Sequence, residues 1–303
     1  MKTFSVIIPT RNRNKLLSEL VQTLPISNHY LNKIIIVDSS DEAHAKDYRH
    51  DKINYIHTEI KSAAIQRNIG IENLSPTSEI VFFLDDDVRV DFQYFEKIIE
   101  NFHDLDVVGV SGLALNTSKP SIRNTPSGIS GYLKRLFFLD SLRDGALLPS
   151  AVNIPVRVQS QTKRVNVKVD WLIGCSAWRT NILSKVKFDN FFTGQSLGED
   201  VLFSAKAREF GCLIVDPDIV VNHLESELFR PDESKFFEMW IFNRYQISNQ
   251  LKLSTLNLAF HWANLGKLIA LLLDKKFTGK SKKNELLGIV RGYRKILTGF
   301  NEN

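Results

Sequence analysis

Several features that define particular classes of protein are scarce or missing in this chain. Its 303 residues include only two cysteines, Cys175 and Cys212, far apart and both in apolar surroundings, which excludes a disulfide scaffold and a Cys/His zinc site. No stretch approaches the ~18 uninterrupted apolar residues of a spanning helix. The N-terminus runs straight into a predicted strand, so we expect no signal peptide. The net charge of +5 is too small to indicate nucleic acid as a partner. We therefore expect a reduced, cytoplasmic, globular protein.

Short apolar runs alternate with helical patterns through the first 115 residues. The predicted strands cover residues 4–9, 33–37, 53–57, 80–84 and 107–115, and the predicted helices end near residues 24, 74 and 102. This alternation predicts an α/β protein with a doubly wound sheet. The run at residues 80–84, IVFFL, is apolar without alternation, which is typical of a strand buried on both faces near the centre of a parallel sheet.

Three carboxylates, Asp85, Asp86 and Asp87, follow that central strand with no spacer. They would repel one another unless a positive group neutralised them, and carboxylate oxygens suit Mg²⁺ or Mn²⁺, which usually also hold substrate phosphates. The alternative is a solvated acidic turn before the next helix. Arg11 and Asp38 follow the first and second strands, so they should converge with the triplet at the carboxyl edge of the sheet. This convergence favours a metal–diphosphate site.

The regular pattern stops between residues 116 and 167, which are rich in Ser, Pro, Gly and Arg around an apolar island at 133–139. This stretch is either a lid or loop that faces a substrate, or a simple surface insertion. Trp171, in the apolar run that follows, is either a core side chain or a platform for a sugar ring.

The next polar features again adjoin predicted helices and strands. Glu199 and Asp200 follow Gly198 at a predicted helix start, where carboxylates are also favoured by the helix dipole alone. Residues 212–215 and 219–221 predict two short strands, and His223 ends the second of them, as a structural residue or as a ligand.

The C-terminal region predicts three helices, at residues 234–251, 255–273 and 284–297. The middle one is strongly apolar but interrupted by His261, Asn264 and Lys267, and a lysine cluster follows it. This arrangement fits an interfacial helix at a membrane surface, whereas the alternatives are a helix packed on the protein or a homodimer contact. We expect a domain at 1–230, with residues 116–167 inserted, and a helical region at 231–303.

Five motifs, taken in order, resemble glycosyltransferase family 2, the inverting nucleotide-sugar transferases of GT-A fold. They are FSVIIPTRN at 4–12, IIVD at 35–38, AIQRNIG at 64–70, FLDDD at 83–87 and GED at 198–200. The resemblance covers about residues 4–225 and implies a GT-A fold, with a Rossmann-like, doubly wound mixed sheet and a C-terminal helical appendage. Ser39 stands where the family often has a second acid.

The resemblance also implies a role for each matching residue. Asp85 and Asp87, in the family's DxD motif, would bind a divalent metal, Mn²⁺ or Mg²⁺, with His223 as the third protein ligand. Asp200 would be the catalytic base, oriented by Glu199, with Trp171 and Gly174 on the acceptor side. The UDP-, GDP- or dTDP-linked sugar would contact a set of residues drawn from the strand ends, namely Pro9, Thr10, Arg11, Asp38, Arg67, Asp85 and Asp86.

The expected function is an inverting, metal-dependent glycosyltransferase that acts on a saccharide or lipid-linked acceptor in surface polysaccharide biosynthesis, at the inner face of the cell membrane. One alternative is a nucleotidyltransferase, but residues 10–13, TRNR, lack the glycines of its phosphate loop. Another is a non-catalytic nucleotide-sugar-binding protein, which would be expected to have lost Asp85, Asp87 or Asp200.

Overall fold

The computed structural model describes residues 2–90, 93–116, 128–157, 165–194, 196–224, 232–273 and 280–299. The chain divides into two compact units. Unit 1 comprises Met1–Arg123 and Val158–Ser226, and unit 2 comprises Asn124–Arg157 and Glu227–Asn303. The division assigns part of the predicted lid to the same unit as the C-terminal helices, which the sequence did not indicate.

Unit 1 is built around a mixed sheet. The strands in chain order are β1 (Phe4–Thr10), β2 (Leu31–Asp38), β3 (Ile53–His57), β4 (Ile80–Phe83), β5 (Val88–Arg89), β6 (Val107–Asn116), β7 (Val167–Val169), β8 (Ser176–Arg179) and β9 (Cys212–His223). Their order across the sheet is β3-β2-β1-β4-β8-β6-β9-β5, and β7 pairs with β9. The strands from β3 to β4 run parallel, while β8 is antiparallel to both β4 and β6.

The predicted central position of the IVFF strand is confirmed. All four residues of β4 are buried, because β1 pairs on one side and β8 on the other while both faces are covered. One layer of this core packs aromatic rings against β1 and β4, with Phe4 and Phe95 stacked at a centroid distance of 5.3 Å. Stacking of this kind adds to the stabilisation that comes from burial alone.

The helices in chain order are α1 (Asn14–Thr23), α2 (Ala63–Glu72), α3 (Tyr94–Glu100), α4 (Gly128–Leu136), α5 (Thr180–Leu183), α6 (Glu199–Ala207), α7 (Glu233–Gln250), α8 (Leu258–Leu273) and α9 (Lys280–Thr298). Unit 2 contains α4 and α7–α9. The sequence pattern predicted the long helices but not α4, whose first turn contains two glycines, Gly128 and Gly131. Glycine lowers helix propensity, so the apolar island at 133–139 did not indicate a helix.

Two glycines allow α9 to lie directly on α7 inside unit 2. A Cβ atom at Gly288 would lie 2.5 Å from the Ser234 carbonyl oxygen, and one at Gly292 would lie 2.7 Å from the Cβ of Ile241. Because the two glycines are one turn apart, they form a smooth strip on α9 against which α7 packs. The 3₁₀ turn before α8 together with α8, Thr255–Leu273, is the one helix in the described ranges with the length and composition to cross a membrane, and 39% of its apolar window is buried.

One expectation about β9 was wrong. The two short strands predicted at 212–215 and 219–221 form a single strand, Cys212–His223, whose pairing with β6 shifts between Gly112 and Leu113. Asp216 pairs with Gly112 and Val220 with Leu113, so residues 217–219 bulge from the ladder. Pro217 has no N–H to donate, which accounts for a bulge at this point and for the apparent break in the sequence pattern.

We predict that Gly70→Ala destabilises unit 1. A Cβ atom at Gly70 would lie 2.4 Å from Cγ2 of the buried Ile7, so α2 would have to move away from β1. Overpacking of this kind costs about 1–3 kcal/mol. The measurement is the free energy of unfolding in urea. The control is Glu72→Ala on the exposed end of the same helix, which should stay within about 0.5 kcal/mol of the parent. Equal stability of the two variants would contradict the packing.

Candidate active site

Hydrogen bonds join the carboxyl ends of β1, β2 and β4 at one edge of the sheet. Thr10 Oγ1 donates to Asp86 Oδ2 at 2.7 Å, which links β1 to the acidic triplet. Gln66 Nε2 on α2 donates to the carbonyl oxygens of Thr10 (2.8 Å) and Val37 (2.6 Å), which ties β1 to β2. The carboxyl ends of these three strands therefore meet at one edge of the sheet, as expected, but Arg11 is not part of these contacts.

The three carboxylates of the triplet differ in their surroundings. Asp86 and Asp87 are buried, and both accept hydrogen bonds from Nη1 of Arg13, at 3.0 and 3.1 Å. Asp85 is about one third exposed and accepts a 2.7 Å hydrogen bond from Nη2 of Arg67. Burial raises the pKa of Asp86 to about 6, while Arg13 opposes that rise. Asp85 is thus the accessible member of the triplet, and two arginines neutralise the group.

Arg13 was not among the predicted site residues, although it lies two residues after Arg11 in the same TRNR loop at residues 10–13. The predicted residue of that loop, Arg11, is exposed to solvent. Positions 11 and 13 are separated by the Asn12 backbone, whose positive φ of 54° turns the chain before α1. A residue in the left-handed region redirects the side chains that follow it. The only sequence signal for such a turn is the asparagine itself, which adopts the left-handed conformation more readily than most residues. This signal alone did not predict which arginine contacts the triplet.

Arg67 joins the triplet to the start of α6. Its guanidinium is buried and donates from Nη2 to Asp85 and from Nη1 to Glu199. The resemblance placed Arg67 among the nucleotide-sugar ligands, whereas the structure commits both terminal nitrogens to carboxylates. Gly174 adjoins this pair, since a Cβ there would lie 3.0 Å from Nη2 of Arg67 and 3.2 Å from Oδ2 of Asp85.

Glu199 and Asp200 occupy different environments although they are adjacent. Gly198, with a φ of 88°, provides the left-handed residue from which α6 starts at Glu199. Glu199 is buried against Arg67, and its second oxygen, Oε2, has no hydrogen-bond partner among the described residues. Burial raises the pKa of Glu199, and Arg67 opposes the shift. Adjacent helical side chains point about 100° apart, so the two carboxylates cannot do the same work.

Asp200 is the more accessible of the two carboxylates. Its side chain is partly exposed, and its Oδ1 accepts a 2.8 Å hydrogen bond from the Val201 N–H. The protein around it raises the pKa of Asp200 to about 6 by desolvation, against the opposing effect of Arg67. A carboxylate with a pKa near 6 is ionised at neutral pH and is still basic enough to take a proton during a reaction.

Asp38 is buried at the end of β2, and both of its oxygens already accept hydrogen bonds. Oδ1 accepts from the Ser40 N–H at 2.8 Å and from the Ser40 hydroxyl, and Oδ2 accepts from the Tyr55 hydroxyl. Pro9 is buried at the end of β1. Trp171 is partly exposed and comes shortly before Gly174 in the segment that leads into β8.

The predicted metal ligands Asp87 and His223 belong to neighbouring strand ends. Val88 pairs with His223 between β5 and β9, and the Leu224 N–H donates to the Asp87 carbonyl oxygen at 2.9 Å. The side chain of His223 lies outside the described part of the structure. Among the described side chains, no three His, Cys, Asp or Glu residues form a metal-holding cluster. The donor set of Asp85, Asp87 and an imidazole nonetheless suits Mn²⁺ or Mg²⁺.

Solved structures share this fold. TarS residues 1–349 from S. aureus superpose over 96% of this chain and 81% of theirs, with a TM-score of 0.55 and 15% identity. GalNAc-T7 with UDP, GalNAc and Mn²⁺ gives a TM-score of 0.57 and 16% identity over 99% of this chain and 58% of its own. TarS 1–349 with UDP-GlcNAc gives 0.52 and 17% identity over 82% of this chain and 66% of its own. A search of curated protein sequences found no significant match.

The sheet and these neighbours define a protein of GT-A fold, as predicted. Residues 5–153 match the family model described as Glycosyl transferase family 2, and this span includes the first motif from Ser5 onward and all of the next three. This match and the GT-A neighbours identify the protein as a glycosyltransferase with a family 2 domain at residues 5–153.

We predict that Arg67→Met destabilises the protein by about 3–5 kcal/mol, because it leaves the buried Glu199 carboxylate without its partner. Adding Glu199→Gln to this variant removes the buried charge, so the double variant should recover a large part of the loss. The measurement is the free energy of unfolding in urea at pH 7. A double variant no more stable than Arg67→Met would show that the two side chains are not coupled.

Proposed function

We propose that this glycosyltransferase moves a sugar from a nucleotide-sugar donor to a hydroxyl group of a saccharide or lipid-linked acceptor, with inversion at the anomeric carbon. The observation that carries the proposal is the Arg67 bridge, which links Asp85 at the end of β4 to Glu199 at the start of α6. The triplet end of β4 and the partly exposed Asp200 therefore belong to one connected site. The UDP and UDP-GlcNAc in the related structures support a nucleotide-sugar donor.

In the proposed reaction, the acceptor oxygen attacks the anomeric carbon as the bond from that carbon to the diphosphate breaks. Asp200 takes the proton of the acceptor hydroxyl, and the nucleoside diphosphate leaves with the bonding electrons. Asp200 suits this role because it is partly exposed, ionised at neutral pH and next to a carboxylate that is held in place. General base catalysis of this kind contributes about 10²–10⁴-fold to the rate.

Asp85, Asp87 and His223 are the residues that would hold a divalent metal, which when bound would neutralise negative charge on the diphosphate. Mn²⁺ in the GalNAc-T7 structure supports this assignment. In the structure, Arg13 pairs with Asp86 and Asp87, and Arg67 pairs with Asp85. Arg13 would add positive charge beside the leaving diphosphate, since its guanidinium adjoins two members of the triplet.

The acceptor class and the biological setting are the finer parts of the proposal. We infer an acceptor in surface polysaccharide biosynthesis, with Trp171 and Gly174 on its side of the site. Gly174 supports this inference because its backbone lies against the Arg67–Asp85 pair, where a Cβ atom would come within 3.0 Å of Arg67 Nη2. Trp171 is partly exposed, so one face can stack against a sugar ring.

We predict that Asp200→Asn lowers kcat by about 10²–10⁴-fold while donor affinity stays within a factor of two to three, since asparagine keeps the shape but cannot accept a proton. The measurements are steady-state transfer and donor titration by calorimetry. In the parent enzyme, the same base predicts a rate that is constant above pH 7 and falls as Asp200 becomes protonated below about pH 6.

The matched control is Glu209→Gln, which removes an exposed carboxylate just beyond α6 and should leave kcat unchanged. If Asp200→Asn keeps more than about a tenth of the parent rate, or if the acid limb of the pH profile persists unchanged in that variant, the base is another group.

We predict that Asp87→Asn weakens Mn²⁺ binding at least about tenfold, because a neutral amide replaces one hard, charged oxygen ligand. The primary readout is the free Mn²⁺ signal in electron paramagnetic resonance, recorded with a donor analogue and without any turnover. Asp41→Asn, an exposed aspartate in the loop after β2, is the control and should bind Mn²⁺ like the parent. Indistinguishable Mn²⁺ titrations of parent and Asp87→Asn would remove Asp87 from the metal site.

A further inference from the structure

Unit 2 exposes a row of large apolar side chains along α8. Its members are spaced four and three residues apart and therefore lie on one face of the helix: Leu258, Trp262, Leu265, Ile269 and Leu272. We call this row the α8 stripe. Leu258 and Leu272, at its two ends, are 62% and 65% exposed. Leaving this much apolar area in water is unfavourable at roughly 25 cal/mol per Å², so the stripe marks an interaction surface.

The opposite face of α8 is anchored inside unit 2 by polar contacts. The buried Asn264 accepts from Nη1 of Arg244 at 3.3 Å and donates to the Tyr293 hydroxyl at 3.2 Å. Lys267 forms an ion pair with Glu285 of α9 at 2.5 Å. A helix with these contacts on one face cannot be surrounded by lipid, because each buried polar group would lose its partner. Its length and composition would suit a spanning helix, but its packing suits one that lies along a surface.

The α8 stripe has apolar neighbours on two other helices of unit 2. The indole Nε1 of Trp262 donates to the Leu136 carbonyl oxygen at 2.9 Å, at the end of α4. The exposed residues of α4 include Ile129, Tyr132, Leu133 and Leu136. A groove of about 490 Å³ lies between α8 and α9, lined by Leu268, Val290 and Leu297 among others, together with the exposed Arg294.

The charge of unit 2 decides which occupant fits this surface. The 111 residues of unit 2 include 17 Lys and Arg but only 9 Asp and Glu, a net charge of +8, which leaves −3 for unit 1 out of the total of +5. Exposed cations lie on the same two helices: Lys134 on α4, and Lys283, Arg294 and Arg291, which also donates to Ser234 Oγ at 3.2 Å, on α9. A second copy of the chain would bring these like charges together, whereas an anionic lipid surface complements them.

The spacing of the α8 stripe is also that of a coiled-coil seam, but its flanking positions do not specify a partner helix. These positions are Ala259, His261, Gly266 and Leu268, which provide none of the Glu–Lys pairs that select a partner. The stripe spans only about two heptads, which is short for a stable coiled coil. Bulky apolar side chains with a tryptophan beside cationic residues are instead typical of interfacial helices.

We propose that unit 2 seats the protein on an anionic lipid bilayer, with the α8 stripe and the exposed face of α4 at the boundary between headgroups and acyl chains. Lys134, Lys283, Arg291 and Arg294 contact the headgroups, and each basic side chain near such a surface contributes about 1 kcal/mol. The inference goes beyond the proposed function, because glycosyl transfer to a soluble acceptor does not depend on it.

The test is co-sedimentation of the full chain with vesicles of phosphatidylcholine, with and without phosphatidylglycerol. We expect binding that requires phosphatidylglycerol and is lost at about 1 M salt, where the screening length falls to ~3 Å. Leu265→Glu combined with Leu272→Glu, and separately Arg291→Glu combined with Arg294→Glu, should each weaken binding at least about tenfold, because each pair alters two surface contacts.

Matched controls are available in unit 1. Leu105 is 82% exposed and Arg49 is exposed, so Leu105→Glu and Arg49→Glu make the same types of substitution in unit 1 and should bind like the parent. Donor hydrolysis and the thermal midpoint of every variant report folding. Brominated lipids should quench Trp262 fluorescence, and this quenching should disappear in Trp262→Phe.

Two results would overturn the proposal. One is binding of the α8 and α9 variants that equals that of the Leu105 and Arg49 controls. The other is a parent that does not bind the vesicles. If light scattering then shows that the parent is a dimer and that Leu265→Glu with Leu272→Glu converts it to a monomer, the α8 stripe is the contact between two copies.

Discussion

Arg67 lies between Asp85 and Glu199 with almost no exposure to solvent, and the arrangement of the site depends on this contact. A buried guanidinium is unfavourable unless carboxylates and hydrogen bonds compensate for its lost hydration. Here the two compensating carboxylates come from the end of β4 and from the first turn of α6. Because both carboxylates pair with the same guanidinium, the acidic triplet and the proposed base Asp200 are held close together. More than a hundred residues of sequence separate the triplet from Asp200.

Two residues next to the Arg67–Asp85 ion pair, Gly174 and Cys175, are small and uncharged, so they add no charge that would compete with the pair. Gly174 allows the backbone to approach the ion pair, and the Cys175 thiol lies 3.6 Å from Asp85 Oδ2 as a weak donor. Burial and the nearby Asp85 raise the pKa of Cys175, so the thiol stays neutral and adds no further negative charge to the site. The neutral surroundings leave the two arginines as the groups that offset the triplet.

The sequence predicted the fold well because the signals for it are local. The unbroken apolar run of β4 reflects burial on both faces, and the strand–helix alternation around it predicted the parallel strands. The acidic triplet and the start of α6 were predicted for the same reason, since each follows a clear strand end or a glycine. These features needed no information about distant contacts.

The features that were missed depend on long-range contacts or on unusual backbone. Arg13, rather than the exposed Arg11, contacts the triplet because Asn12 adopts a left-handed conformation. The helix α4 has two glycines in its first turn, so its intrinsic helix propensity is low. Packing inside unit 2 therefore provides the stability of this helix. The bulge at Pro217 made one strand look like two. In each case a tertiary constraint overrode the local pattern.

The hydrogen bonds that Asp38 already accepts limit what the donor contact expected there could add to nucleotide-sugar binding. Both carboxylate oxygens are already satisfied by Ser40 and Tyr55, so a base N–H that reaches Asp38 exchanges one hydrogen bond for another. The net gain from such an exchange is small, because the Tyr55 hydroxyl must find a new acceptor. A nucleotide-sugar that contacts Asp38, as the sequence resemblance implies, would therefore gain little binding free energy from that contact.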